Sequence, residues 1–322
     1  MIYLDNENGV DSVETPYAKR VKQPDRLKEL LGLAPDDGLS LMSSGQEAIT
    51  EVFYSQYLDH IYQSGKTHFV STCQEEATVQ LLLKRFEKLG CSYTLIEPNE
   101  KGQVTAEMVS KAITPRTGMV SMSWANPLTG VVHPIWDVAQ LVSDRGVYFH
   151  VDATPVLGKL FFRFGDMPID FLTVDGARCG APRAGALAVR KGTECYPLIP
   201  KAYPNVAPLF NEAAEQLFQD FDFLCTETAT LRDLLENELE GVPLYANSER
   251  LPNVTALYFE GVSQELLLFH LVQQGLYATY GGGQFPRLPP GVLSFALSRD
   301  TKKEEIERAI DIINVTYRRI KW

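Results

Sequence analysis

Cysteine is scarce in this chain and badly placed for cross-linking. Five occur in 322 residues, Cys73, Cys91, Cys179, Cys195 and Cys225, odd in number and never in CxxC spacing. That pattern excludes a disulfide framework and a thiol-based zinc site, and it fits a reducing cytoplasm. Long apolar runs are also missing. No run approaches the roughly 20 residues that a membrane-spanning helix needs. Residues 1–9, MIYLDNENG, have neither the basic flank nor the apolar segment of a secretory leader, so none is expected. Positive charge is in deficit, with 30 Lys and Arg against 41 Asp and Glu and a net charge of −11. Non-specific binding to nucleic acid or to an anionic membrane is therefore not expected. No GxGxxG, P-loop or HExxH signature is present, and no internal repeat or low-complexity segment.

What remains is an ordinary globular composition, 45% hydrophobic and 22% charged. A chain this long can bury a large core and usually forms two domains. We expect an N-terminal arm over residues 1–15, a larger α/β domain over 16–200 and a smaller α+β domain over 201–322. The passage between the two domains, residues 193–205, holds two tyrosines and three prolines.

The informative stretch is 146–191. Three short apolar runs there read as buried strands: 147–151, which ends on Asp152; 170–174, which ends on Asp175; and 185–189, which follows a Gly/Pro loop. Apolar strands with acids at their carboxyl ends suit an α/β sheet, where ligands bind beyond those ends. Upstream, a strand at 39–42 leads into Ser43-Ser44-Gly45-Gln46-Glu47. This is a small-residue turn at a helix start that either offers backbone N–H groups to a phosphate or is a plain cap. Further strands are expected at 68–72, 93–96, 118–123, 251–259 and 292–299. Helices are expected at 77–89, 105–113, 209–240 (one long helix or a broken pair), 264–274 and 302–317. His133, alone and without a ligand partner nearby in the chain, reads as a surface residue.

The run His150-Val151-Asp152-Ala153-Thr154, then Gly158-Lys159, a strand, a four-residue turn and Gly185-Ala186-Leu187 resemble the core of class V aminotransferases. These are fold-type-I enzymes dependent on pyridoxal phosphate (PLP), and the cysteine desulfurases among them are most alike in local wording. The resemblance implies a large domain with a mainly parallel seven-stranded sheet sandwiched by helices, plus a smaller α+β C-terminal domain. It implies that Asp152 pairs with the PLP pyridine nitrogen. It puts Ser44, Gly45 and Gln46 at the phosphate, and Asn126 at the ring oxygen unless Asn126 is only a turn residue before Pro127.

Other positions depart from the family pattern. Where the family has its Schiff-base lysine, this chain has Arg178, or Ala177 if the one-residue shortening falls before it; neither forms an imine. Glu75 stands at the ring-stacking histidine and reads as a solvated or helix-capping acid. Asp175 stands at a phosphate-binding serine, where an acid repels the phosphate unless Arg178 and Arg183 compensate. Gln284 stands at the catalytic cysteine and Ser294 at the carboxylate-binding arginine, while Arg299 is retained. Scaffold features survive and reactive ones do not, which favours a non-catalytic binding or scaffold protein. Its partner would be a true desulfurase subunit or another iron–sulfur assembly component. The alternatives are a PLP enzyme of altered chemistry, with cofactor held non-covalently or by Lys159, and a fold turned to another anion. The family also implies a homodimer. No metal site is expected.

Overall fold

The computed structural model describes residues 25–198 and 206–321. The expected arm over 1–15 and residues 199–205 of the inter-domain passage lie outside them.

Seven strands form the main sheet: β1 (Gly38–Met42), β2 (His68–Thr72), β3 (Ser92–Ile96), β4 (Thr117–Ser123), β5 (Tyr148–Asp152), β6 (Phe171–Asp175) and β7 (Gly185–Val189). Their order is β1-β7-β6-β5-β4-β2-β3. The five strands from β3 to β6 run parallel, whereas β7 is antiparallel to both of its neighbours. β2 and β4 are buried at every residue. That is why neither alternates apolar with polar residues along its length, and why their His, Ser and Thr side chains are buried with the rest.

Helices cover both faces, so side chains of one strand feed two cores. Phe171 and Leu187 pack with Phe53 and Val52 of α2 (Gly45–Gln56) and Leu83 and Phe86 of α3 (Ala77–Glu87). Leu172 and Val174 point the other way, into a core shared with α1 (Asp25–Leu30), α4 (Ala106–Ala112) and α5 (Ile135–Asp144). Phe53, Phe69 and Phe86 stack with ring centroids 5.5–6.2 Å apart. Truncating Phe86 to Ala would cost about 3–5 kcal/mol.

The long amphipathic stretch is one helix, α6 (Val206–Glu238). Its Phe210, Ala213 and Leu217 belong to the core of the main sheet, and its Leu231 and Leu235 to the next one. That second core lies under a three-stranded antiparallel sheet, β8 (Val242–Pro243), β9 (Val254–Tyr258) and β10 (Val292–Ala296), backed by α7 (Gln264–Val272) and α8 (Lys303–Ile320).

His133 is not on the surface. It is 2% exposed and its Nδ1 accepts the Val104 N–H at 3.1 Å. Burial pushes its pKa down to about 4, so the ring is neutral and can accept that bond.

Candidate functional site

Because β2, β4, β5 and β6 are parallel, their carboxyl ends share one edge of the sheet. Thr72, Ser123, Asp152 and Asp175 are the terminal residues of these strands. Asp152 is 7% exposed. Its Oδ1 accepts the Thr154 N–H at 3.0 Å and the Thr154 hydroxyl at 2.5 Å. The same hydroxyl oxygen accepts the Asp175 N–H at 2.8 Å, linking the two strand ends. Burial, then the nearby Glu76 carboxylate, push the Asp152 pKa up to about 6 against the pull of Thr154 and Arg178.

Glu75 is not solvated. It is 2% exposed, its Oε1 accepts the Thr72 hydroxyl at 2.7 Å, and both oxygens accept the Ser123 N–H at 3.0–3.1 Å. Burial outweighs those bonds, and the Asp152 and Glu76 charges add to it, raising the pKa to about 8. The side chain therefore carries a proton at neutral pH. Glu76 is buried beside it. Its Oε2 accepts Gln284 Nε2 at 2.9 Å, and its Oε1 has no partner among the described residues. The Ala77 N–H also donates to the Gln284 carbonyl at 2.6 Å. The Gly-rich loop of the smaller unit is thus tied over the start of α3.

At the phosphate end, Ser44 caps α2 and its Oγ accepts the Glu47 N–H at 3.2 Å. The Gly45 N–H donates to Asp175 Oδ2 at 2.9 Å, and the Ala177 N–H donates to Asp175 Oδ1 at 2.8 Å. The helix N-terminus thus faces an anion that belongs to the chain itself. The compensation expected from Arg178 and Arg183 comes instead from these two backbone amides. Arg178 closes a short 3-10 turn (Gly176–Arg178) with its guanidinium 4.8 Å from the centroid of the Phe285 ring. Arg183 is exposed in a left-handed conformation, φ 58°. Gln46 lies in the first turn of α2, where its carbonyl accepts the Thr50 hydroxyl.

Asn126 behaves as a turn residue: its Oδ1 accepts the Leu128 and Thr129 N–H groups at 2.8 and 3.0 Å. Ser294 is buried, with its backbone paired to Thr279, and offers no charge to a carboxylate. Lys159 Nζ donates to the Pro155 carbonyl at 3.0 Å; burial, then Arg178, lower its pKa to about 8. Among the described residues no cluster of His, Cys, Asp and Glu could hold a metal ion. Among the described residues no helix is long and apolar enough to cross a membrane.

The family model for aminotransferase class V matches residues 18–198. The chain belongs to the class V aminotransferase family. A cysteine desulfurase of Nostoc sp. is 28% identical over 354 residues, covering 99% of this chain and 87% of that protein. The cysteine desulfurase NifS of Azotobacter vinelandii is 28% identical, with 88% and 78% covered. Among solved structures, a NifS-like protein superposes with a TM-score of 0.83 at 20% identity, covering 93% of this chain and 87% of that one. The NifS-like protein of Rickettsia africae gives 0.78 at 18%, covering 94% and 89%. At these identities the structures show the fold, which is the PLP fold type I expected above.

Against the family's cofactor the residues fit at one point only. Asp152 sits at the strand end, where a pyridine nitrogen would meet an acid. By the resemblance, Asp175 stands where the family has a phosphate ligand, and a phosphate ~4 Å from its carboxylate would meet a repulsion of about 4 kcal/mol at an effective dielectric near 20. The turn Gly176–Arg178 holds no lysine, and the ring-stacking position is a buried carboxyl. The set as a whole does not fit PLP in the class V manner.

Sequence reasoning overlooked Thr154 and Glu76. Asp-x-Thr is a recognisable turn pattern in which a side chain bonds the backbone two residues on, so Thr154 had a signal. Glu76 had none, because an acid at a helix start ordinarily complements the dipole in water.

Proposed function

We propose that this class V aminotransferase relative carries no cysteine desulfurase activity and works as a binding or scaffold protein. The observation that carries the reading is the Asp175 carboxylate on the Gly45 and Ala177 amides, in the place a cofactor phosphate would need. Arg178 in the adjoining turn and Gln284 tied to Glu76 point the same way, since neither supplies an imine-forming amine or a thiol nucleophile. The natural partner is a second copy of the chain or a true desulfurase subunit of iron–sulfur assembly, in the cytoplasm. Purified protein given excess PLP and then desalted should retain no visible absorbance band, and with cysteine added it should form no persulfide. Persulfide turnover overturns the reading. A second reading, a PLP enzyme of altered chemistry acting on a small amino acid, is favoured by Asp152 alone. A retained band that borohydride does not fix to the protein would select it.

A further inference from the structure

A cavity of about 440 Å³ lies between the turn Gly176–Gly180, the middle of α6 and the edge of the smaller sheet. That is the size of a small-ligand site. Lys159, Arg178 and Arg299 line it, with Asp300 as its single acid. None of the three cations makes an ion pair with any described residue. In a chain with an acidic excess, three cations without an ion-pair partner on one wall, of which Arg178 feels the buried Asp152 carboxylate at longer range, are a specific arrangement.

Each is held in place. Arg299 Nη1 donates to Gln216 Oε1 at 3.1 Å, and its Nη2 lies 2.6 Å from where a Cβ on Gly180 would sit. Gly180, at φ 96°, is what lets the guanidinium lie on the backbone. Arg178 rests on Phe285, and Lys159 is tethered to the Pro155 carbonyl. The two thiols on the wall do not supply the missing negative charge. Burial pushes Cys179 up to about 11 and raises Cys225 as well, so both stay neutral. Asp300 is exposed, as Arg178 and Arg299 are, and it forms no ion pair with either of them.

We infer that this cavity binds a small oxyanion, a carboxylate or a phosphate, through the guanidiniums of Arg178 and Arg299 and the Lys159 ammonium. Charge-assisted contacts from a planar guanidinium suit both anions. The site is separate from the Gly45 amide, which Asp175 occupies, and the inference does not depend on the protein being non-catalytic.

The test is calorimetric titration of the full chain with malonate and, separately, with inorganic phosphate at constant ionic strength. Lys159 acylation by a limiting amine reagent, followed by mass spectrometry, is the site-specific readout. Saturable binding of at least one anion is expected, with Lys159 acylation slowed in its presence. Arg299→Gln should weaken that binding by about tenfold, the loss of one charge-assisted contact. Lys191→Gln, which removes a distant surface charge paired with Asp36, should leave it unchanged. A circular-dichroism melt confirms that both variants are folded. Malonate binding alone assigns a carboxylate and phosphate binding alone assigns a phosphate. No saturable binding of either, equal affinity in Arg299→Gln, or undiminished acylation of Lys159 overturns the inference.

Discussion

Glu75→Gln should make the protein more stable, and by an amount that depends on pH. The buried carboxyl moves from an ordinary value of 4.5 up to about 8. Below pH 4.5 the native and unfolded chains both hold the proton, and the group adds no penalty. As pH rises from there, the unfolded chain ionises while the native chain does not, so stability falls until about pH 8. At ~1.4 kcal/mol per tenfold change in equilibrium, that window corresponds to about 5 kcal/mol. Gln has the same shape, and its carbonyl can still accept the Ser123 N–H while its amide meets the Thr72 hydroxyl. Guanidinium denaturation of both proteins at pH 5, 6.5 and 8 measures the difference. The gap should be small at pH 5 and widen toward about 5 kcal/mol at pH 8. A gap that stays constant with pH, or a variant less stable than the parent at pH 8, would refute the argument that desolvation dominates at Glu75.

Asp175→Ser removes the acceptor of two backbone amides and should cost about 1–2 kcal/mol, the scale of a lost helix cap. Added phosphate should restore part of its melting temperature but not the parent's, and no phosphate effect would show that the start of α2 is not an anion site. His133, ordinarily near 6.5 and here about 4, contributes stability above pH 6.5 that is lost as pH falls toward 4, about 3 kcal/mol in all. His133→Gln should make that limb shallower without removing it, because burial holds His150 down as well, to about 3; an unchanged limb assigns the loss to other groups. Gln284→Ala releases Glu76, so limited proteolysis should cut within residues 281–287 faster than in the parent. Equal rates would mean that the backbone bonds of the loop, Ala77–Gln284 and Gly282–Phe285 among them, hold it without the Glu76 side chain.

The strands and helices of the main sheet were legible because their signals are local. The buried strand β7 shows as an unbroken apolar run, and the helix start at Ser44 carries an ordinary cap residue. Asp152 was legible because it terminates such a run. Glu75 was misread because its partner Ser123 lies 48 residues away, on a strand that becomes its neighbour only in the sheet. His133 failed for the same reason, since the amide it accepts belongs to Val104. Asp175 was read at the end of its strand, which is where β6 ends, but its amide partners were not foreseen. No pattern in the sequence tells that a helix amide 130 residues upstream takes an acid's charge.

The 33 residues of α6 rise about 50 Å at 1.5 Å each, and both ends are anchored in different cores. Between Leu217 and Thr228 no residue of the helix is buried. This is the same stretch that passes the cavity, through Leu224 and Cys225. The helix therefore acts as a beam clamped at its two ends and lightly held in the middle, where the Cys225 thiol meets the Lys159 carbonyl. Any movement of the smaller sheet toward the larger one has to flex that free span, because the clamped portions are held by packing. The width of the cavity and the curvature of the beam are then one coordinate, and whatever fills the first sets the second.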